Sequence, residues 1–221
     1  MTAAEPADER PAQQAPAGAG RGDEQDVLLR LVTGLGRGAA VSTDHDLTPG
    51  AARPAGMTLR PAAVLVALQP GVAGWEVVLT RRSALLRHHP GQIALPGGKL
   101  DPADPGPTAA ALREAEEEVG LDPTAVALLG TLPVHETVTG FAITPVLGRL
   151  AAPFRPLPQR GEVEEVFLVP LAHLADLDRY RIERRRWRGT WRNYYVVPWG
   201  PYYIWGATAR ILRRLAERMT P

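Results

Sequence analysis

The stretch Pro107-Thr-Ala-Ala-Ala-Leu-Arg-Glu-Ala-Glu-Glu-Glu-Val119 constrains this chain more than any other. Its spacing predicts a helix. Pro107 suits a first turn and Gly120 the position just past the end, while Thr108, Ala111, Leu112, Ala115 and Val119 line one apolar stripe. The rest of its surface is poor for stability. Glu114, Glu117 and Glu118 stand at i, i+3 and i+4 and share a face, whereas Glu116 projects elsewhere. Like charges at such spacings cost about 0.2–0.5 kcal/mol per pair. Three acids also crowd the last turn, where the helix dipole disfavours negative charge, and Arg113 is the one cation on the helix. One reading is a solvated acidic face. The other is a site for a hard divalent cation such as Mg²⁺, which takes carboxylate oxygens, water and substrate phosphates.

Around this helix the chain reads as a mixed α+β domain. Short apolar runs predict strands at Ala62–Leu68, Trp75–Thr80, Ala127–Val134, Phe141–Leu147, Val163–Val169, Arg179–Trp187 and Trp191–Pro198. A closing helix is expected over Gly206–Met219, with Ala209, Leu212 and Leu215 on one face. Residues 1–22 hold no Val, Ile, Leu or aromatic side chain and predict a disordered tail. Asp23–Gly36 predicts an amphipathic helix through Val27, Leu28, Leu31, Val32 and Leu35, and residues 37–56 a Gly- and Pro-bearing connector, leaving 57–221 as the main domain. No repeat and no membrane-length apolar run is present. A net charge of +1 supplies no global field for nucleic acid or a membrane. The absence of cysteine removes thiolate chemistry and cysteine–zinc sites and suits a cytoplasmic location.

Upstream of the helix lies Gly91-Gln-Ile-Ala-Leu-Pro-Gly-Gly-Lys-Leu-Asp-Pro-Ala-Asp104. A P-loop is ruled out. Ile93 stands where its first glycine is needed, and Leu100 where Ser or Thr would meet Mg²⁺. Gly-Gly, a loop, and then Arg113, Glu114, Glu117, Glu118, Gly120 and Leu121, with Ala115 as the apolar residue, closely resemble the Nudix box. The usual box has Glu eight residues before its Arg. Pro105 stands there in this chain, with Asp104 one residue earlier. Leu79-Thr-Arg-Arg-Ser83, Arg87 and Gly91–Gly98 resemble a stretch of the coenzyme A pyrophosphatases, with Leu95 in place of Phe, and Glu162–Leu171 and Tyr203–Ala209 resemble that subfamily too.

The resemblance implies a Nudix fold, a mixed sheet sandwiched between helices, and a Mg²⁺- or Mn²⁺-dependent hydrolase cutting a small nucleotide substrate. It implies Glu114 and Glu118 as metal ligands, with Glu117 a third ligand or a water-orienting partner. Arg113 is expected to hold a box glutamate, and Gly97 and Gly98 to let backbone groups reach phosphates. Glu162 is the expected general base, with Glu164 and Glu165 as alternatives; strand alternation puts Glu162 and Glu164 on one face. Arg82 and Arg87 are expected on substrate phosphates, the alternative being a solvated loop. His88 and His89 point apart and are not expected to ligate metal. The basic run Arg181–Arg188 is expected to be a solvated hairpin face, and the aromatics from Trp187 to Trp205 mostly packing. Coenzyme A is the expected substrate. ADP-ribose or another nucleoside diphosphate derivative, and a nucleotide-sensing module without turnover, are the alternatives. A homodimer is left open.

Overall fold

The computed structural model describes residues 21–37, 40–48, 50, 53, 56–187 and 189–220. The expected tail lies outside them except for its last two residues, which open helix α1 (Arg21–Leu35). The expected connector holds a short strand, β1 (Ser42–Thr43). There follow β2 (Arg60–Gly71), β3 (Gly74–Arg82), β4 (Ile93–Ala94), β5 (Gly97–Lys99) and α2 (Pro107–Val119). Next come β6 (Val126–Thr131), β7 (His135–Glu136), β8 (Phe141–Leu150), β9 (Val163–Pro170) and α3 (Leu171–Ala175). The hairpin β10 (Arg181–Trp187) and β11 (Thr190–Val196) precedes α4 (Gly206–Met219).

The main sheet runs β1-β7-β8-β2-β3-β4, with β5 on β2, β6 on β8 and β9 on β3. It is mixed: β2 pairs parallel with β8 and antiparallel with β3. Strand β2 is apolar along most of its length because it is buried on both faces. Alternation divides the core. Ala63, Leu65, Ala67, Val78 and Val146 face α2 through Ala110, Ala111, Ala115 and Val119. Val66, Leu68, Val77, Leu79 and Leu147 face the other way, toward Leu31 of α1, Leu174 of α3, and Ala209, Leu212 and Leu215 of α4. A sheet between helices is the α+β Nudix architecture expected from the sequence.

Helices α1 and α4 are latched together. The Arg218 guanidinium, in a residue only 7% exposed, donates to the carbonyls of Gly34 (2.7 Å) and Arg37 (2.9 Å). The Gly34 carbonyl also accepts the Arg37 N–H at 3.2 Å, and a cation at this end of α1 suits the helix dipole. A Cβ at Gly34 would collide with the Arg218 carbonyl oxygen, so the two backbones approach as only glycine permits.

Candidate active site

Helix α2 places its acids by tertiary contact rather than by helical spacing alone. Gly120 closes it in the left-handed region (φ 70°), its N–H donating to the Glu116 carbonyl at 2.9 Å. The loop after β8 satisfies two further carbonyls of the last turn. Leu157 N–H donates to Val119 O (2.8 Å) and Gln159 N–H to Glu118 O (2.9 Å). The same loop delivers Glu162, whose carbonyl accepts from Ser83 N–H at 2.8 Å.

The three box acids do not share one environment. Glu118 is buried, with Oε2 accepting the Gly97 N–H (3.0 Å) and Oε1 3.7 Å from an Arg82 guanidinium nitrogen. Burial pushes its carboxyl up to about 7, helped by the charges of Glu114 and Glu162 and opposed by Gly97 and Arg82. Glu114 is half-buried and also raised, first by burial, with Glu117 and Glu162 adding repulsion. Glu117 is exposed and pairs with Arg113 at 3.1 Å. Glu116 is exposed, apart from the cluster, as expected.

Arg113 organises this charge. Its guanidinium donates to Glu114 Oε1 (3.1 Å), Glu117 Oε2 (3.1 Å) and the Lys99 carbonyl (3.3 Å). It also grips Asp104 through two bonds, of 3.1 and 2.9 Å. Asp104 is thus the anchor for Arg113, held in turn by the Asp101 N–H (2.8 Å), and these hydrogen bonds keep its carboxyl below the ordinary range. The displaced acid in the box is reconciled by a loop that bends it back onto Arg113. Sequence spacing carried no signal for that.

The glycine pair is required by space. Gly97 (φ 150°) and Gly98 form β5, and a Cβ on Gly97 would strike the Ala63 carbonyl on β2. A Cβ on Gly98 would occupy the position of the Glu114 carboxylate. The Gly97 N–H donates to Glu118 Oε2 at 3.0 Å. Arg82 reaches the site, with a buried Nε that has no hydrogen-bond partner among the described residues. Arg87 is exposed on the loop after β3, away from these contacts.

Of the alternatives to Glu162, Glu164 and Glu165 both pair with Arg81, at 3.5 and 3.1 Å. The alternation that grouped Glu164 with Glu162 is broken on β9 itself: Arg81 pairs with Glu165 and Arg82 with Val163, which leaves Glu164 as the extra residue. Sequence reasoning missed this bulge, which no residue pattern announces.

Among the described residues, no group of three or more acidic or histidine side chains stands ready-made as a cation cage. Their oxygens are turned to Arg113, Arg82 and a backbone amide instead. The donors still fit a hard divalent ion. Two raised carboxylates lie close together beside the Gly98 backbone, and a cation would relieve both their burial and their repulsion.

Residues 58–189 match the NUDIX domain family. A Klebsiella pneumoniae protein named as an uncharacterized Nudix hydrolase, NudL, is 44% identical over 161 residues, spanning 71% of this chain and 81% of its own. NudL of Escherichia coli K12 is 42% identical over the same shares. The crystal structure of a Nudix hydrolase from M. smegmatis, RenU, is 30% identical and aligns with 53% of this chain and 74% of its own, at a TM-score of 0.45. The chain belongs to the Nudix family. Among the described residues, no helix is long and apolar enough to cross a membrane.

Proposed function

We propose that this Nudix hydrolase uses Mg²⁺ or Mn²⁺ to cleave the diphosphate of coenzyme A or its thioesters, giving adenosine 3′,5′-bisphosphate and 4′-phosphopantetheine. The observation that carries the chemistry is the buried Glu118 carboxylate, raised to about 7 beside Glu114, against Gly97-Gly98 and Arg82. Glu114 and Glu118 would hold the cation, with exposed Glu117 as third ligand or water-orienting partner. The bound ion would neutralise the diphosphate oxygens and lower the pKa of a water. Arg113 positions Glu114 and Glu117 and touches no substrate. Arg82, whose guanidinium lies 3.7 Å from Glu118, binds a phosphate oxygen, and Arg87 reaches the diphosphate from the loop.

Glu162 takes the proton of the attacking water. Its charge acts on both Glu114 and Glu118, so its carboxylate lies within electrostatic reach of both. The substrate choice is supported by the resemblance of Leu79–Gly98 to the coenzyme A pyrophosphatases, because that stretch supplies Arg82, Arg87 and the glycine pair. The test is a hydrolysis panel of coenzyme A, 3′-dephospho-coenzyme A and ADP-ribose with each metal and with excess chelator. The expected result is metal-dependent turnover with the highest kcat/KM on coenzyme A, and a Glu162→Gln variant that loses kcat but keeps metal affinity. Full activity in chelator overturns the metal role. A preference for ADP-ribose overturns the substrate.

A further inference from the structure

Arg81 and Arg82 are consecutive on β3 and therefore face opposite sides of the sheet. Arg82 faces Glu118 and the carboxylate site. Arg81 faces an open cavity of about 460 Å³ that is also walled by Ile93, Glu165, Tyr202, Tyr203 and Trp205. Gly91 lies on its rim and joins the two sides, because its N–H donates to the Arg82 carbonyl at 3.1 Å. On β9 and its approach, Glu162 serves one site and Glu165 the other. The cavity thus shares one layer of sheet and one loop with the acids of α2, the two sites meeting at the end of β3 where Arg81 and Arg82 stand.

The walls have the chemistry of a planar, hydrogen-bonding ligand. Tyr202 is fixed by stacking on Phe167, with centroids 3.6 Å apart and planes at 7°, and it donates its hydroxyl to Glu165 at 2.6 Å. Tyr203 is 44% exposed, its ring 6.4 Å from that of Trp205. Arg81 is neutralised by Glu164 and Glu165. Arg185 is different. It comes from β10 and lies over the Trp205 ring at 4.9 Å. Among the described residues no carboxylate lies within ion-pairing distance of it. A stacked guanidinium keeps its in-plane donors available for phosphate oxygens. Arg184 and Arg186, its strand neighbours, instead lie over Trp191 and donate to the Gly189 carbonyl (3.4 Å).

We propose that this cavity holds the base and ribose of the substrate, and that Arg185 reads a phosphate ester on that ribose. The proposal builds on the coenzyme A reading and adds the residue that would tell coenzyme A from its dephospho form. Aromatic stacking tolerates any base, so discrimination falls to the cation.

The test measures binding without turnover. Titration calorimetry in metal-free buffer compares adenosine 3′,5′-bisphosphate with adenosine 5′-monophosphate on the full chain. The wild type is expected to favour the bisphosphate by at least ~10-fold, the scale of hydrogen bonds to a charged group. Arg185→Ala is expected to bring that ratio close to one, and Arg184→Ala to leave it in place. Both side chains are exposed on one strand, so neither change threatens the fold. A wild-type ratio of one, or a ratio unchanged in Arg185→Ala, overturns the proposal. So does displacement of both nucleotides by 4′-phosphopantetheine at equal affinity, which assigns the cavity to the other arm. If coenzyme A is cleaved but the ratio is one, only this inference fails. If coenzyme A is not cleaved but the ratio depends on Arg185, only the substrate reading fails.

Discussion

Helices α2 and α4 flank the same sheet and treat charge in opposite ways. On α4, Glu217 is surrounded by Arg210, Arg213 and Arg214 at 3.1–3.9 Å, and Arg218 in the last turn complements the dipole. On α2, acids fill the last turn, no basic residue stands there, and one carboxylate is buried at a cost to its own ionisation. One helix is organised to hold the fold together. The other keeps an electrostatic conflict that α4 shows was avoidable, and that conflict lies where a cation and a diphosphate are to be held.

Four substitutions test this contrast. Glu118→Gln is expected to lower turnover at least ~100-fold, the scale of losing one strong electrostatic contact in the transition state. Its effect on stability should have the opposite sign. The Glu118 carboxyl binds its proton more tightly folded (about 7) than unfolded (ordinary value 4.5), so the chelator-treated protein should lose stability as pH rises through that window. At about 1.4 kcal/mol per pH unit this amounts to roughly 3 kcal/mol. Denaturant melts at pH 5 and pH 8 should show that loss in the wild type and a flatter profile in the variant. An equally steep profile in the variant would break the contrast.

Arg218→Ala on α4 should do the reverse, costing about 2 kcal/mol of stability through lost charged hydrogen bonds, with kcat retained. Thermal melts and steady-state kinetics on one preparation separate the two. Asp104→Asn should reduce kcat/KM by about tenfold, because partners that orient ligating residues carry effects of that size. Unchanged kinetics there would mean that Arg113 needs no anchor. The smallest effect belongs to Glu116→Gln, where activity should stay within twofold, since this side chain stands in water on the far side of α2. A loss matching that of Glu118→Gln would refute the division of faces.

The sequence carried the parts of this picture that depend on local periodicity. Helix α2, its buried Ala111, Ala115 and Val119, and its left-handed Gly120 follow from 3.6-residue spacing and glycine's freedom. The longer strands of the main sheet follow from apolar runs bounded by turns. What spacing could not convey was depth. Glu117 and Glu118 are neighbours of like chemistry, yet one stands in water and the other lies under Gly97, because β5 crosses only one of them. Asp104 meets Arg113 only because the intervening loop folds back. Glu164 is the extra residue of β9 opposite Arg81 and Arg82, and only pairing with that distant strand reveals it. Pieces as short as β1 and α3 have too few residues to express a period.

The latch between Gly34 and Arg218 joins positions 184 residues apart. Helix α1 is synthesised early, yet its apolar residues pack into a core completed by α4, and Leu35 lies against Gly130 of β6. None of that surface exists when α1 leaves the ribosome. Leu31 of α1 shares one buried cluster with Leu212 and Leu215 of α4, so α1 reaches full burial only once α4 is in place. Closing so long a loop carries an entropic cost that only a finished docking surface offsets.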